Sequence, residues 1–253
     1  DSVELLAAGV AEIPSVGTED PQERIAMLLQ AIRGILVSNP FKTRQCILSL
    51  PAHETFVHHV KLPKLSDGQT QEALRAELRS KLPYSVDEAV IRNVVAGEVH
   101  GESEARREVI VVAAPRATLE AYLAMARRAK LDVVGINIEA CAIVECFARL
   151  FRRAPDSGRT VLFVDLGAES TQVVLSHGQH IAFARNLTTA GRQFDRAVAE
   201  GMNIPITEAH AMRLDTQKAD SPGAAQEKLY GLLDGPLNAL ADEVTQCLRY
   251  YES

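Results

Sequence analysis

Residues Arg153-Ala154-Pro155-Asp156-Ser157-Gly158-Arg159 interrupt an otherwise regular pattern and constrain the architecture more than any other stretch. The segment is polar, punctuated by Pro and Gly, and offers no side chain that could anchor it in a core, which is the composition of a linker. Strand-like runs alternate with helical spacing on both sides of it. A mixed grammar on either side of one linker predicts an α/β protein of two lobes, residues 1–153 and 154–253.

In the first half, Val3 to Ile13 reads as a small apolar strand ended by Pro14. Thr18-Glu19-Asp20-Pro21 then opens a helix through Ile25, Leu28, Leu29, Ile32, Ile35 and Leu36. Arg44 to Leu50 and Thr55 to Leu62 are strands, and Ser66-Asp67-Gly68 caps a helix from Gln69 to Leu82. Val86 to Val99 and Glu108 to Ala114 pair as strands across the charged connection His100 to Arg107. A helix from Ala117 to Lys130, a strand from Leu131 to Ile138 and a helix from Glu139 to Arg152 follow. In the second half, Thr160 to Val164, Ser170 to Ser176 and Ile181 to Asn186 are strands, with His177-Gly178-Gln179 as a turn. Helices from Gly191 to Glu200, from Ile206 to Leu214 and from about Ala224 complete the chain.

Composition removes several classes of function. The longest apolar run, Val109 to Ala114, is far below the roughly 20 residues of a membrane-crossing helix. Basic residues number 27 against 33 acidic ones, a formal net charge of -6 that makes nucleic acid a poor partner. Cys46, Cys141, Cys146 and Cys247 lack CxxC spacing and read as reduced core residues of a cytosolic protein. P-loop, GxG, HExxH and GxSxG motifs are absent. His53, His58 and His59 invite a metal reading. On a strand, however, His53 and His59 would share one face and His58 the other, so a solvated edge explains them better than a ligand set.

Val161 to Thr171 is the segment whose chemistry is legible: a buried-type strand, then Asp165, a turn at Gly167, and the hydroxyls of Ser170 and Thr171. Gly167 would let backbone N–H groups approach a phosphate, Ser170 and Thr171 would donate to its oxygens, and Asp165 would hold Mg²⁺ through water. The alternative is a hairpin turn that uses Asp and Gly for conformation alone.

This segment resembles the second phosphate loop of the actin-like ATPase superfamily. The ordered stretches Leu48-Ser49-Leu50-Pro51, Val60-Lys61-Leu62-Pro63, Leu78-Arg79-Ser80-Lys81-Leu82-Pro83-Tyr84 and Val111-Val112-Ala113-Ala114-Pro115-Arg116, with the run Arg185 to Arg213, resemble the PilM family of type IV pilus assembly proteins, relatives of FtsA. The resemblance implies an actin-like, ribonuclease H-like fold of two lobes. It also implies an FtsA-type inserted subdomain at 52–130 and a helical insert at about 194–236.

Carried over by position, the resemblance assigns the phosphate loop to Asp165, Gly167, Ala168, Glu169, Ser170 and Thr171, with Asp165 as the metal residue. Glu139, in the linking element Ile136 to Ala140, is the catalytic candidate that would orient water or metal. A helix-start acid favoured by the macrodipole is the competing explanation. Gly191 would bring a helix N-terminus to phosphate. The nucleoside-contacting Ala-Glu-x-x-Lys pattern falls on Ala209 to Arg213, where His210 replaces the acid and Arg213 the lysine. The family's first phosphate loop has no counterpart. The resemblance therefore implies a fragment without the N-terminal loop and the C-terminal part, in which binding of ATP and Mg²⁺ is weak or absent although the full-length form binds them.

Two functions compete at this point. One is a cytoplasmic scaffold of the pilus machine that docks the N-terminal cytoplasmic peptide of a PilN-like inner-membrane protein, with self-association left open. The other is an actin-superfamily ATPase or small-molecule kinase. A kinase needs a strong catalytic acid near its cleft, and Glu139 is the one candidate. The peptide is expected in a cleft lined by Val57 to Leu62 and Ala73 to Leu82, or else those residues form the inserted subdomain's own core.

Overall fold

The computed structural model describes residues 4–13, 20–100, 105–151, 158–216 and 224–252. The expected boundary at 153/154 and the hairpin tip at 101–104 lie outside the described residues.

Helix α1 (Pro21–Ser38) begins where the sequence signals it, with Asp20 accepting from the Gln22 N–H at 2.9 Å and proline in the first turn. Strand β1 (Gln45–Leu50) pairs in parallel with β5 (Asp132–Ile138), and helix α3 (Arg116–Arg128) crosses between them. Parallel strands need such a crossover. Leu29 of α1 packs on Met125 and Ala129 at the end of α3.

A second sheet is antiparallel, in the order β2 (Phe56–Pro63), β4 (Ala105–Pro115), β3 (Ala89–His100). The run Val109 to Ala114 is its central strand. Val109, Val111 and Ala113 face helix α2 (Asp67–Leu78), and Ile110 faces the other way, against helix α4 (Glu139–Phe147). A strand covered on both faces loses the polar alternation of a half-exposed one.

The third sheet runs β6 (Thr160–Leu166), β7 (Thr171–His177), β8 (His180–Leu187), all antiparallel. Helices α5 (Gly191–Met202), α6 (Ile206–Thr216) and α7 (Ala224–Glu252) form a layer on it, with Phe194, Val198, Ala209 and Leu229 meeting Val173 and Leu175. The opposite face of β7 and β8 presents Val174, Ile181 and Ala184 to α4 and to Ile110. Gly201 brings α5 close to α7, since a Cβ there would lie 2.2 Å from Leu232 Cδ2.

Several expectations are corrected. Residues 4–13 form no strand; Gly9 rests on Ile35 of α1, and no described strand pairs with the segment to give it a ladder. The second helix ends at Leu78 and not Leu82, and the helix from Glu139 ends at Phe147 before a 3₁₀ turn. β6 is an edge strand with Leu162, Val164 and Leu166 exposed, whereas β7 is the buried one. Of the cysteines, Cys247 alone is fully buried and Cys146 is exposed. His53 lies in a 3₁₀ turn (Ala52–Glu54), off the strand, and His59 is no solvated edge residue. The His59 ring is buried between Glu108 Oε1 at 3.2 Å and the backbone of Ala184, and it stacks on Phe183.

Candidate functional site

The C-terminal ends of β1 and β5 sit side by side and open into two hollows. At each end the chain passes from an apolar residue to a polar turn: Leu50 to Pro51-Ala52-His53, and Ile138 to Glu139. The apolar members line one hollow, and the turns line the other.

The polar hollow holds about 170 Å³ and is lined by Arg24, Pro51, His53 and Glu139 on one side and by Asp165 and Gly167 to Ser170 on the other. Asp165 is the penultimate residue of β6 and is exposed. The turn after it is closed by the Gly167 N–H donating to the Ser170 carbonyl at 3.1 Å, and a Cβ on residue 167 would lie 2.8 Å from that oxygen. Glycine is therefore required there on steric grounds. Thr171 is fully buried, and its hydroxyl donates to the Thr189 carbonyl at 2.6 Å, so it holds the loop in place. The N–H groups of Gly191 and Arg192 donate to the carbonyls of Gly167 and Ala168, each at 2.9 Å, and Glu169 pairs with Arg192. These bonds tie the start of α5 to the loop and occupy two of the helix's first N–H groups.

Glu139 Oε2 accepts from the Ala52 N–H at 2.8 Å. Burial pushes the Glu139 carboxyl above the usual carboxylate range and Asp165 adds to the rise, while the Ala52 hydrogen bond and His53 oppose it. Ala52 is held from its other side by Asn186 of β8, whose Nδ2 donates to the Ala52 carbonyl at 2.6 Å and the Thr55 carbonyl at 3.1 Å. Gln172 Nε2 in turn donates to Asn186 Oδ1 at 3.0 Å. The turn that leads into β2 is thus clamped between α4 and the third sheet.

His210 and Arg213 of α6 converge on Asp195 of α5, with His210 Nδ1 2.9 Å from Oδ2 and Arg213 Nε donating to Oδ1 at 2.7 Å. Arg213 also reaches the start of α5, its Nη2 lying 3.5 Å from where a Gly191 Cβ would be. Asp195 went unmarked in the sequence, although its spacing from the Gly191 helix start puts it one turn inside α5.

The residues of the polar hollow fit part of a nucleotide. Asp165 and Glu139 are oxygen donors suited to Mg²⁺, and Ser170, Arg24 and His53 suit phosphate oxygens. Two facing carboxylates favour an anion that carries its own divalent cation over bare phosphate.

The apolar hollow holds about 430 Å³ between β3 and β5. Val90, Val94, Leu119, Ile136, Ile138 and Cys141 supply its apolar wall, and Arg92, Asn93 and Asn137 its polar groups. Both flanking strands are sheet edges. Val57 to Leu62 and Ala73 to Leu82 do not line it; Val60, Leu74 and Leu78 are core between α2 and its sheet. Period-two patterning identifies β3 and β5 as strands, but which edge stays open depends on pairing order, which the sequence does not show.

A family model described as type IV pilus assembly protein PilM matches residues 7–253. Among solved structures, a chain described as belonging to the PilM-PilN type IV pilus biogenesis complex is 23% identical with a TM-score of 0.76, over 97% of this chain and 69% of that one. The cytoplasmic domain of EpsL, an inner-membrane component of the type II secretion system of Vibrio cholerae, is 15% identical with a TM-score of 0.41, over 64% of this chain and 57% of that one. The ethanolamine utilization protein EutJ from Carboxydothermus hydrogenoformans is 19% identical with a TM-score of 0.42, over 53% and 44% of the respective chains. With its α/β actin-like fold, the chain belongs to the PilM family of type IV pilus assembly proteins.

Proposed function

We propose that this protein is an actin-like scaffold of type IV pilus assembly that docks an extended cytoplasmic peptide of a PilN-like inner-membrane protein in the hollow between β3 and β5. The observation that carries the reading is the geometry of that hollow: an apolar floor between two strand edges whose N–H and C=O groups have no sheet partner among the described residues. An extended peptide adds to such an edge by main-chain hydrogen bonds, and alternate side chains fill the floor. The solved relative is described as a PilM-PilN complex, which supports this class of partner. Recruitment by such a partner would hold the chain at the cytoplasmic side of the inner membrane; no described helix is long and apolar enough to cross one.

In this reading, residues 1–153 and 154–253 belong to two lobes, with an inserted unit built on β2–β4–β3 within 52–130 and a helical insert at about 194–236. The polar hollow between the lobes takes the phosphates of ATP with Mg²⁺ at Asp165, and Glu139 orients water or metal. Ala168, Glu169, Ser170, Thr171 and Gly191 shape the loop. His210 and Arg213, braced by Asp195, face the nucleoside side. The nucleotide is a structural ligand, and hydrolysis is slow at most.

The test is calorimetric titration of the partner's N-terminal cytoplasmic peptide into the chain and into Ile136→Glu, whose side chain is 40% exposed and can be changed without opening the core. Binding that Ile136→Glu abolishes supports the reading. Equal binding by both removes the hollow from the function.

A further inference from the structure

At the opposite end of β1, about 20 Å from the two hollows for a strand of six residues, lies a third surface of different character. Arg33 near the end of α1, Arg44 at the entry to β1, and Arg128 and Lys130 at the end of α3 line a hollow of about 420 Å³ together with Leu36 and Val37. Among the described residues none of these four cations makes an ion pair, although the chain as a whole is acidic. Arg33 instead donates to the Arg128 carbonyl at 2.7 Å, which joins the two helix ends. The loop that follows α1 adds Lys42, and two large apolar side chains are exposed beside it, Val37 in the last turn of α1 at 87% and Phe41 in the loop at 38%. Asp132 is the acid that follows most closely in sequence, and it is not part of the wall.

Lys130 gives a second, independent sign. Helix α3 closes in a Schellman motif, with the Lys130 N–H on the Arg127 carbonyl at 2.9 Å and the Leu131 N–H on the Ala126 carbonyl at 3.0 Å. The motif requires a left-handed residue, and Lys130 adopts φ 59°. Helix α5 closes in the same way on Asn203 at φ 55°, a residue type that tolerates the conformation. A lysine at such a position departs from the local rule, and departures of that kind gather at functional sites. Cations near a helix C-terminus also complement its dipole, and Arg33 caps the Arg128 carbonyl, but these structural roles leave Arg44 and the exposed Val37 and Phe41 unaccounted for.

We propose that the face formed by Arg33, Arg44, Arg128 and Lys130 with Val37 and Phe41 is a peripheral contact for an anionic phospholipid bilayer. Cations without an acidic partner among the described residues attract anionic headgroups, and an exposed aromatic beside them enters the interfacial layer. This surface is separate from both hollows, so the proposal stands independently of peptide or nucleotide binding.

Co-sedimentation of the whole chain with vesicles tests it. The chain is expected to sediment with vesicles of phosphatidylcholine containing phosphatidylglycerol, to remain in solution with phosphatidylcholine alone, and to be released by salt. Arg44→Glu with Lys130→Glu is expected to lower partitioning at least about 25-fold, as each lost cation is worth about fivefold. Lys130→Gly relieves the left-handed position, so it is expected to raise the melting temperature while it weakens vesicle binding about fivefold. Equal sedimentation with both vesicle types, unchanged binding by the double variant, or release by inorganic phosphate at the headgroup concentration at constant ionic strength would overturn the proposal, the last by making the face a pocket for soluble anions.

Discussion

The two hollows at the ends of β1 and β5 share a wall and differ in almost everything else. Leu50 and Ile138 floor the larger one, while Pro51 and Glu139, one residue further along each chain, line the smaller. The larger is a gap between open strand edges, and it offers shape and main-chain hydrogen bonds. The smaller is built from turns and offers charge. Successive residues at a strand end point in different directions, so one pair of strands can serve two ligands of unlike chemistry. Their separation can be tested directly, because a substitution in one hollow should leave the other unaltered.

The largest effect is expected in the apolar hollow. Val94→Asp places a charge at a position 37% exposed on the β3 side, and peptide affinity is expected to fall 100-fold or more, by about 3 kcal/mol, with nucleotide affinity unchanged. Next is Asp165→Ala: Mg²⁺-dependent nucleotide affinity is expected to drop about 10- to 100-fold, with the melting temperature without nucleotide unaltered. Unchanged affinity in calorimetry would remove Asp165 from the site. Asn186→Ala blurs the comparison, since Asn186 holds the turn on which both hollows depend. It leaves the Ala52 and Thr55 carbonyls without their donor and is expected to cost about 1–3 kcal/mol in denaturant unfolding, weakening both ligands.

The smallest effect concerns Glu139. Its carboxyl lies above the ordinary range in the folded chain, chiefly through burial, so the folded state binds the proton more tightly than the unfolded state. Its contribution to stability is therefore full in acid and declines as pH rises through the folded pKa. Glu139→Gln keeps an oxygen for the Ala52 N–H and removes the decline. The melting temperature of the variant relative to the parent is expected to climb from about pH 4 to about pH 7, and a flat difference would show that folding does not raise the carboxyl's proton affinity.

Much of the fold was legible from residue periodicity. The helix from Pro21, the central strand at Val109 to Ala114, and the order of strands and helices all follow from spacing and caps. Burial was less legible. β6 and β7 are both rich in β-branched and aliphatic residues, yet β6 is an edge and β7 is covered on both faces by α4 and the α5–α7 layer. Composition of one strand does not report what packs above and below it. The same limit applies to the site. Asp165 and Gly167 could be recognised because a strand, an acid and a glycine turn are contiguous. Asn186 and Asp195 act through partners 131 to 134 and 15 to 18 residues away, and contiguity carries no trace of such contacts. For Leu74 and Leu78 helical spacing left a peptide cleft and the inserted unit's own core as alternatives, and they pack as core against the chain's own sheet.

Hydrogen exchange with and without the PilN-like peptide reports on backbone groups at every candidate edge at once and so locates the docking strand. Docking between β3 and β5 is expected to slow exchange of their amides, within residues 89–95 and 132–138, with no change within 165–171. Protection confined to β2 and α2, or to the loop after Asp165, would contradict it.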